Sequence, residues 1–256
     1  MDKRPLLTLL TVTYNCEDSL NKTLSSVKSD SPLVEHLFID GKSNDSTLDI
    51  INNYCSHQRI QTSLISENDK GIYDALNKGS LLAQGEYILV LHSGDEIILP
   101  IDEILEALND KADIYAFGGK FIDNKGVIVP WLRKNFPLTM INPAIRHPTL
   151  IISSDLLRTN GGYDLSYKIS ADYDFICRVL KKNSCKILVI EKPLLLMEEF
   201  GFSGSRQRFI LKKKEHLRIS QHIENIGLRL KFKLKIILQM MTGYISLLKR
   251  EWKSQL

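Results

Sequence analysis

Through about residue 120 the chain alternates short apolar runs with stretches whose apolar residues recur every third or fourth position, and no other feature restricts its fold as strongly. The runs at 6–14, 34–39, 61–66, 87–91 and 113–117 read as strands. Between them, Leu20, Leu24 and Val27, then Leu48, Ile51 and Cys55, then Ile72, Leu76, Gly79 and Ala83 mark one face each of three helices, and a fourth helix is expected at 101–108. Ser19 and Ser46 are the expected start signals of the first two, with Asp49 completing a capping-box spacing after Ser46. Strands and helices taken in turn imply an α/β fold, a mostly parallel sheet covered by helices.

Beyond residue 118 the rhythm changes. Asn124-Lys125-Gly126 within KFIDNKGVIV predicts a hairpin, and Pro137, Pro143 and Pro148 predict an irregular, exposed segment. A strand at 149–153, a short helix ending at Gly161-Gly162, a helix from near Ser170 through Phe175, Val179 and Leu180, and a strand at 186–190 follow. The chain therefore divides into a body, 1–205, with halves 1–117 and 118–205, and a tail, 206–256.

The net charge of +4 hides an asymmetry. From residue 206 onward there are 13 Lys and Arg against 3 Asp and Glu, whereas residues 1–205 carry 21 against 27. The tail sequence LRLKFKLKIILQMMTGYISLLKREWK mixes apolar residues with Lys and Arg. Its apolar stretch 236–248 contains Gln239, Thr242, Gly243 and Ser246, too short and too polar to span a bilayer. Two readings follow: an amphipathic helix lying on an anionic membrane surface through residues 206–256, or a solvated helix covering the body. A basic excess confined to the tail, without a base-reading motif, argues against nucleic acid. Cys16, Cys55, Cys177 and Cys185 lack CxxC and zinc spacings and read as reduced thiols. MDKRPLLTLLTVTYN reads as a buried first strand rather than a secretory signal. These features predict a cytoplasmic protein, peripheral on the inner face of the cell membrane.

In an open α/β sheet, ligands gather beyond the carboxyl ends of the strands. Those ends are Thr13-Tyr14-Asn15, Asp40-Gly41, Glu67-Asn68-Asp69-Lys70-Gly71 and His92-Ser93-Gly94-Asp95-Glu96. Acidic residues follow three of the four strands, and no Walker-type phosphate loop is present. An acidic rim calls for a cation, and Mg2+ or Mn2+ chelated by a nucleotide diphosphate meets that need. Asp95 is the candidate metal contact; the alternative is a plain turn before the fourth helix. Asp40 is placed to accept from a base N–H or a ribose hydroxyl; the alternative is turn chemistry in IDGKSNDST. Lys70 would balance phosphate charge. Asp172 and Asp174 fall in the first turn of a helix, where the dipole favours carboxylates with or without chemistry, and His147 is a candidate substrate contact.

TVTYN, IDGKSNDST, SENDKGIYDALNKGSLLAQGEYILVLHSGDE and NGGYDLSYKISADYDFICRVL, in this order and over residues 5–200, resemble the successive blocks of the inverting glycosyltransferases of family 2, which have the GT-A fold. The resemblance implies a nucleotide-sugar donor site formed by Thr13, Asn15, Asp40, Lys70, Ser93, Gly94 and Asp95, with Ser93-Gly94-Asp95 in the place of the DXD signature and Asp95 on the metal. It implies Asp172 as general base, with His147 and Asp174 on the acceptor side. The implied activity is transfer from a nucleotide-diphosphate sugar to a polysaccharide or isoprenoid-lipid-linked saccharide, inverting in one displacement, with Mn2+ or Mg2+. Two positions depart from the pattern: Ser93 stands for the first DXD acid, and Ala171 for the glutamate before the base, so positioning of the base is expected to rest on other groups such as Asp174. One rival is a sugar nucleotidyltransferase, which requires a Gly-rich, Arg/Lys-bearing loop where TVTYNCEDS stands; another is a non-enzymatic membrane-docked assembly protein on a decayed transferase fold.

Overall fold

β1 (Leu7–Thr13), LTLLTVT, is buried at almost every position because both of its faces are covered. Leu7 and Leu9 point into a cluster with Leu20, Leu24, Phe38, Ile51 and Leu89, whereas Leu10 points into one with Leu37, Ala75, Leu76, Ile88 and Phe175. The structure is a computed structural model and describes residues 4–122, 126–131, 147–182, 185–198 and 206–253. After β1 come α1 (Glu17–Ser26), β2 (Val34–Asp40), α2 (Thr47–His57), β3 (Gln61–Ser66), α3 (Ile72–Leu82) and β4 (Tyr87–Val90). The second half adds β5 (Glu96–Ile97), α4 (Ile101–Ala107), β6 (Ile114–Ile122), β7 (Ile128–Trp131), β8 (Leu150–Ser153), α5 (Ser154–Thr159), α6 (Ala171–Lys181) and β9 (Ile187–Glu198). Two helices close the described chain, α7 (Arg206–Ile219) and α8 (Ile226–Lys253).

The strand order is β3-β2-β1-β4-β8-β6-β9-β5, with β7 paired to β6. β3, β2, β1 and β4 are all parallel, so their carboxyl ends share one edge. β8 enters antiparallel between β4 and β6, and β9 runs parallel to β6. Six of the nine described strands thus share a direction, and the expected α/β class holds.

Local differences have physical causes. α1 begins at Glu17 rather than at Ser19, and Ser46 makes no side-chain cap on α2. The two helix starts brace each other instead: Asp45 Oδ2 accepts from Glu17 N at 3.2 Å and Glu17 Oε2 accepts from Ser46 N at 2.8 Å. The predicted strand at 186–190 continues to Glu198, past Pro193, because a register shift there lifts the proline's missing N–H out of the ladder. β6 and β7 form the predicted hairpin, while Asn124, Lys125, Pro137 and Pro143 lie outside the described residues.

Candidate active site

Asp40 ends β2 wholly buried, with four donors on its carboxylate. Oδ1 accepts from Thr13 Oγ1 at 2.9 Å and Ser43 Oγ at 2.5 Å; Oδ2 accepts from Ser43 N at 3.0 Å and Ser66 Oγ at 2.7 Å. Burial alone would raise this carboxyl, but the bonds from Ser43, Ser66 and Thr13 outweigh it and hold it below the usual range. Thr13 and Asp40 are therefore brought together as a tie across the ends of β1, β2 and β3. Asn15, at φ 46°, carries the tie outward: its backbone N donates to Ser43 Oγ, and its side-chain oxygen accepts from Asn44 N, both at 2.9 Å. A Cβ on Gly41 would sit 2.5 Å from Asp69 Oδ2, so that glycine admits Asp69 to the same lip, beside the exposed ring of Tyr14. Lys70 is exposed at the rim, and Lys78 pins the preceding loop through Glu67 Oε1 and Asn68 O, each at 2.8 Å.

The turn after β4 is held from α1. Ser93 Oγ lies 2.8 Å from Ser19 Oγ, and Thr23 Oγ1 accepts from Gly94 N at 2.8 Å. Gly94 adopts φ +97°, open to glycine at no steric cost. Asp95 follows, half-buried, with its backbone N donating to His92 O at 3.1 Å. Among the described residues no three His, Cys, Asp or Glu gather into a cation site. One carboxylate at this turn fits a divalent ion that brings its remaining oxygens from a diphosphate and from water, which is the habit of Mg2+.

Asp172, in the first turn of α6, faces a buried aromatic pocket. Tyr73 Oη donates toward Asp172 Oδ1 at 3.0 Å and toward Ile169 O at 2.7 Å. His147 is buried, with Nε2 2.7 Å from Tyr163 Oη. His92 is pushed down to about 4, by burial first and by His147 next, against the pull of Asp172. Burial also lowers His147, against the same pull. Both rings are thereby neutral and do not quench the Asp172 carboxylate as cations would. His92, whose carbonyl accepts from Asp95 N, thus lies within electrostatic reach of His147 and Asp172, residues that the sequence assigned to the other half. The intervening loop is clamped by Asn77, which bonds Tyr163 N and Tyr163 O at 2.8 Å each. Gly162 makes that approach possible, since a Cβ there would lie 2.4 Å from Asn77 Oδ1.

Asp174 is not brought to this pocket. It is 2% exposed, and its two oxygens are taken by Arg178 Nε at 2.8 Å and His222 Nε2 at 3.0 Å. The side chain bonded to Asp172 is Tyr73 rather than Asp174, a contact that sequence reasoning missed. α7 also reaches the loop before Asp172. Glu215 accepts from Lys168 N at 2.7 Å and Ile169 N at 3.1 Å, and Arg218 stacks 3.5 Å over the Tyr167 ring.

This fold, a mostly parallel sheet whose first four strands end on one shared edge, is the GT-A fold of glycosyltransferases. The S. aureus TarS fragment 1-349, solved in complex with UDP-GlcNAc, superposes with a TM-score of 0.66 at 20% identity, over 94% of this chain and 72% of that one. The chain belongs to glycosyl transferase family 2, whose sequence profile matches residues 8–168. It is 31% identical over 218 residues to an uncharacterised glycosyltransferase of Mycobacterium tuberculosis, covering 81% of this chain and 80% of that protein. It is 23% identical over 242 residues to a PGL/p-HBAD biosynthesis glycosyltransferase of the same species, covering 88% of each. The chain is accordingly a glycosyl-transfer enzyme, and the nucleotidyltransferase and non-enzymatic readings fall away.

Proposed function

We propose that this enzyme moves a sugar from a nucleotide-diphosphate sugar to a hydroxyl of a polysaccharide or isoprenoid-lipid-linked saccharide, with inversion in one displacement. The observation that carries the reading is the Asp172 carboxylate, held by Tyr73 Oη at 3.0 Å, within electrostatic reach of His92, whose carbonyl accepts from Asp95 N. Asp172 takes the proton from the acceptor hydroxyl as that oxygen attacks the anomeric carbon, and the nucleoside diphosphate departs on the opposite face. Thr13, Asn15, Asp40 and Ser43 shape the lip for the nucleoside, and the open ring of Tyr14 offers a face to the base. Ser93, Gly94 and Lys70 face the diphosphate, and His147 lies on the acceptor side. A divalent ion, Mn2+ or Mg2+, held by Asp95 and the diphosphate would neutralise charge growing on the leaving group. The complex of TarS with UDP-GlcNAc supports a nucleotide-sugar donor.

Thermal unfolding with UDP, GDP and dTDP, each with and without Mn2+, tests donor and metal together. One nucleotide with Mn2+ should add about 2.7 kcal/mol at a hundred times its Kd, a rise of about 5–10 °C for a chain of this size. Mn2+ alone should add almost nothing, because the protein offers it one carboxylate. If no diphosphate raises the midpoint in millimolar Mn2+, the donor assignment is wrong.

α8 supports a place at an anionic membrane surface. Leu230, Leu234, Ile237 and Leu238 form an exposed stripe, with Lys231 and Lys235 on one flank and Lys233 on the other, while Phe232 and Ile236 pack inward. Among the described residues no helix is long and apolar enough to cross a membrane. Each basic residue near such a surface contributes about 1 kcal/mol, and the Debye length shrinks from about 10 Å at 0.1 M salt to about 3 Å at 1 M. The protein should float with phosphatidylserine vesicles at 0.1 M salt and largely release at 1 M. Equal flotation with purely phosphatidylcholine vesicles would remove the electrostatic part of this reading.

A further inference from the structure

We infer that Tyr73 is the residue that positions Asp172 for proton abstraction, doing at long sequence range what the residue before the base, Ala171, has no side chain to do. The inference rests on the reading of Asp172 as the base. The Tyr73 hydroxyl crosses from the first turn of α3 to lie 3.0 Å from Asp172 Oδ1 and 2.7 Å from Ile169 O. A phenol has one hydrogen to offer, and here two acceptors compete for it.

That competition suits a base that changes charge. While Asp172 is ionised, a charge-assisted bond from the phenol is about twice as strong as the neutral bond to Ile169 O. The hydrogen then rests on Oδ1 and fixes the carboxylate plane. The acceptor's proton passes to Asp172, making a neutral acid, while the acceptor oxygen bonds to the anomeric carbon and the bond to the diphosphate breaks. With the carboxylate charge gone, the Tyr73 hydrogen swings to Ile169 O and keeps a partner. Tyr73 retains its own proton throughout, since burial first, and the Asp172 charge next, push the phenol up from its ordinary value.

Both sides of the device are anchored. Tyr73 packs against Tyr163 with centroids 5.7 Å apart, and Asn77, one turn further along α3, clamps the Tyr163 backbone from both sides. Ile169 is held by Glu215 of α7. Asp174 cannot serve, because Arg178 and His222 hold both of its oxygens.

Tyr73→Phe removes only the hydroxyl. The test is a four-enzyme cycle of native, Tyr73→Phe, Asp172→Asn and the double variant, followed by nucleoside diphosphate release from the donor that the thermal panel identifies. Tyr73→Phe should lower kcat about 10-fold in the native background and less than about 2-fold beside Asp172→Asn, since residues acting as one unit do not add. Donor KM should stay within about 2-fold of native. An equal loss in both backgrounds, an unchanged kcat, or a loss confined to donor KM overturns the role assigned to Tyr73. Near-native turnover by Asp172→Asn alone instead removes the base reading, and the two failures are read from different members of the cycle.

Discussion

Asp172→Asn should lower turnover by about 10²–10⁴-fold, the usual contribution of a positioned base, while leaving donor affinity unchanged. The substitution keeps the shape of the side chain, and the Asn carbonyl can still accept from Tyr73 Oη, so the pocket keeps its geometry. It removes the lone-pair basicity that receives the acceptor's proton. The cost to the fold is small: a carboxylate in the first turn of α6 gains about 0.3–1 kcal/mol from the helix dipole, which corresponds to about 1–4 °C in midpoint for this chain length. A collapse of activity without a collapse of Tm is therefore the signature. It is measured as initial rates of nucleoside diphosphate release beside a melting curve. Turnover within a factor of ten of native would leave Asp172 as a helix-start carboxylate and nothing more.

The architecture was legible wherever a strand's own neighbours decide its state. β3 falls on the predicted residues, and β1, β2 and β4 lie within one residue of theirs at each end, because each carries a short run rich in apolar and β-branched residues bounded by turn residues. β5 was not legible. Its two residues, Glu96 and Ile97, are a strand only because Leu195 and Leu196 of β9 arrive beside them. β9 runs past the predicted end at residue 190 to Glu198, with a register shift where Pro193 pairs Gly118.

The site divides along the same line. Asp95 and Asp172 were singled out in the sequence by residue type and by their place at a strand end and a helix start. Tyr73 was not, since its contact with Asp172 spans 99 positions and its surroundings in sequence, GIYDALN, show only one more half-apolar helix face. Asp174, two residues from Asp172, was expected to help position it, but Arg178 and His222 hold both of its oxygens. Glu215, Arg218 and His222 looked like solvated positions in a basic tail. The structure shows instead that α7 organises the loop leading to Asp172, while α8 carries an exposed apolar stripe beyond it.

Asp40→Asn should destabilise the protein by about 2–4 kcal/mol, a large share of the roughly 5–15 kcal/mol that holds a domain together. Asn retains one oxygen for Thr13 Oγ1 and Ser43 Oγ, and Ser66 can turn its hydroxyl to accept from the new amide. The backbone N–H of Ser43 cannot turn, and it is left facing another donor in a buried tie. The midpoint should fall by about 5–15 °C, and urea unfolding should show the loss in midpoint rather than in slope. The effect depends on pH with a definite sign. Asp40 has its carboxyl held below the ordinary value, so its contribution is complete above pH of about 4 and is lost as pH falls through the lower folded value. Absolute stability begins to fall earlier, near pH 6.5, because burial lowers His36 and His216 to about 3 and the unfolded chain takes up their protons first. Each of those histidines lowers stability progressively as pH falls across that interval. They act equally on native and variant, so the difference between the two unfolding free energies isolates Asp40. That difference should be flat from pH 8 to pH 5 and shrink below about pH 4. A difference that widens in acid, or one already absent at neutral pH, would show that Asp40 does not tie the ends of β1, β2 and β3.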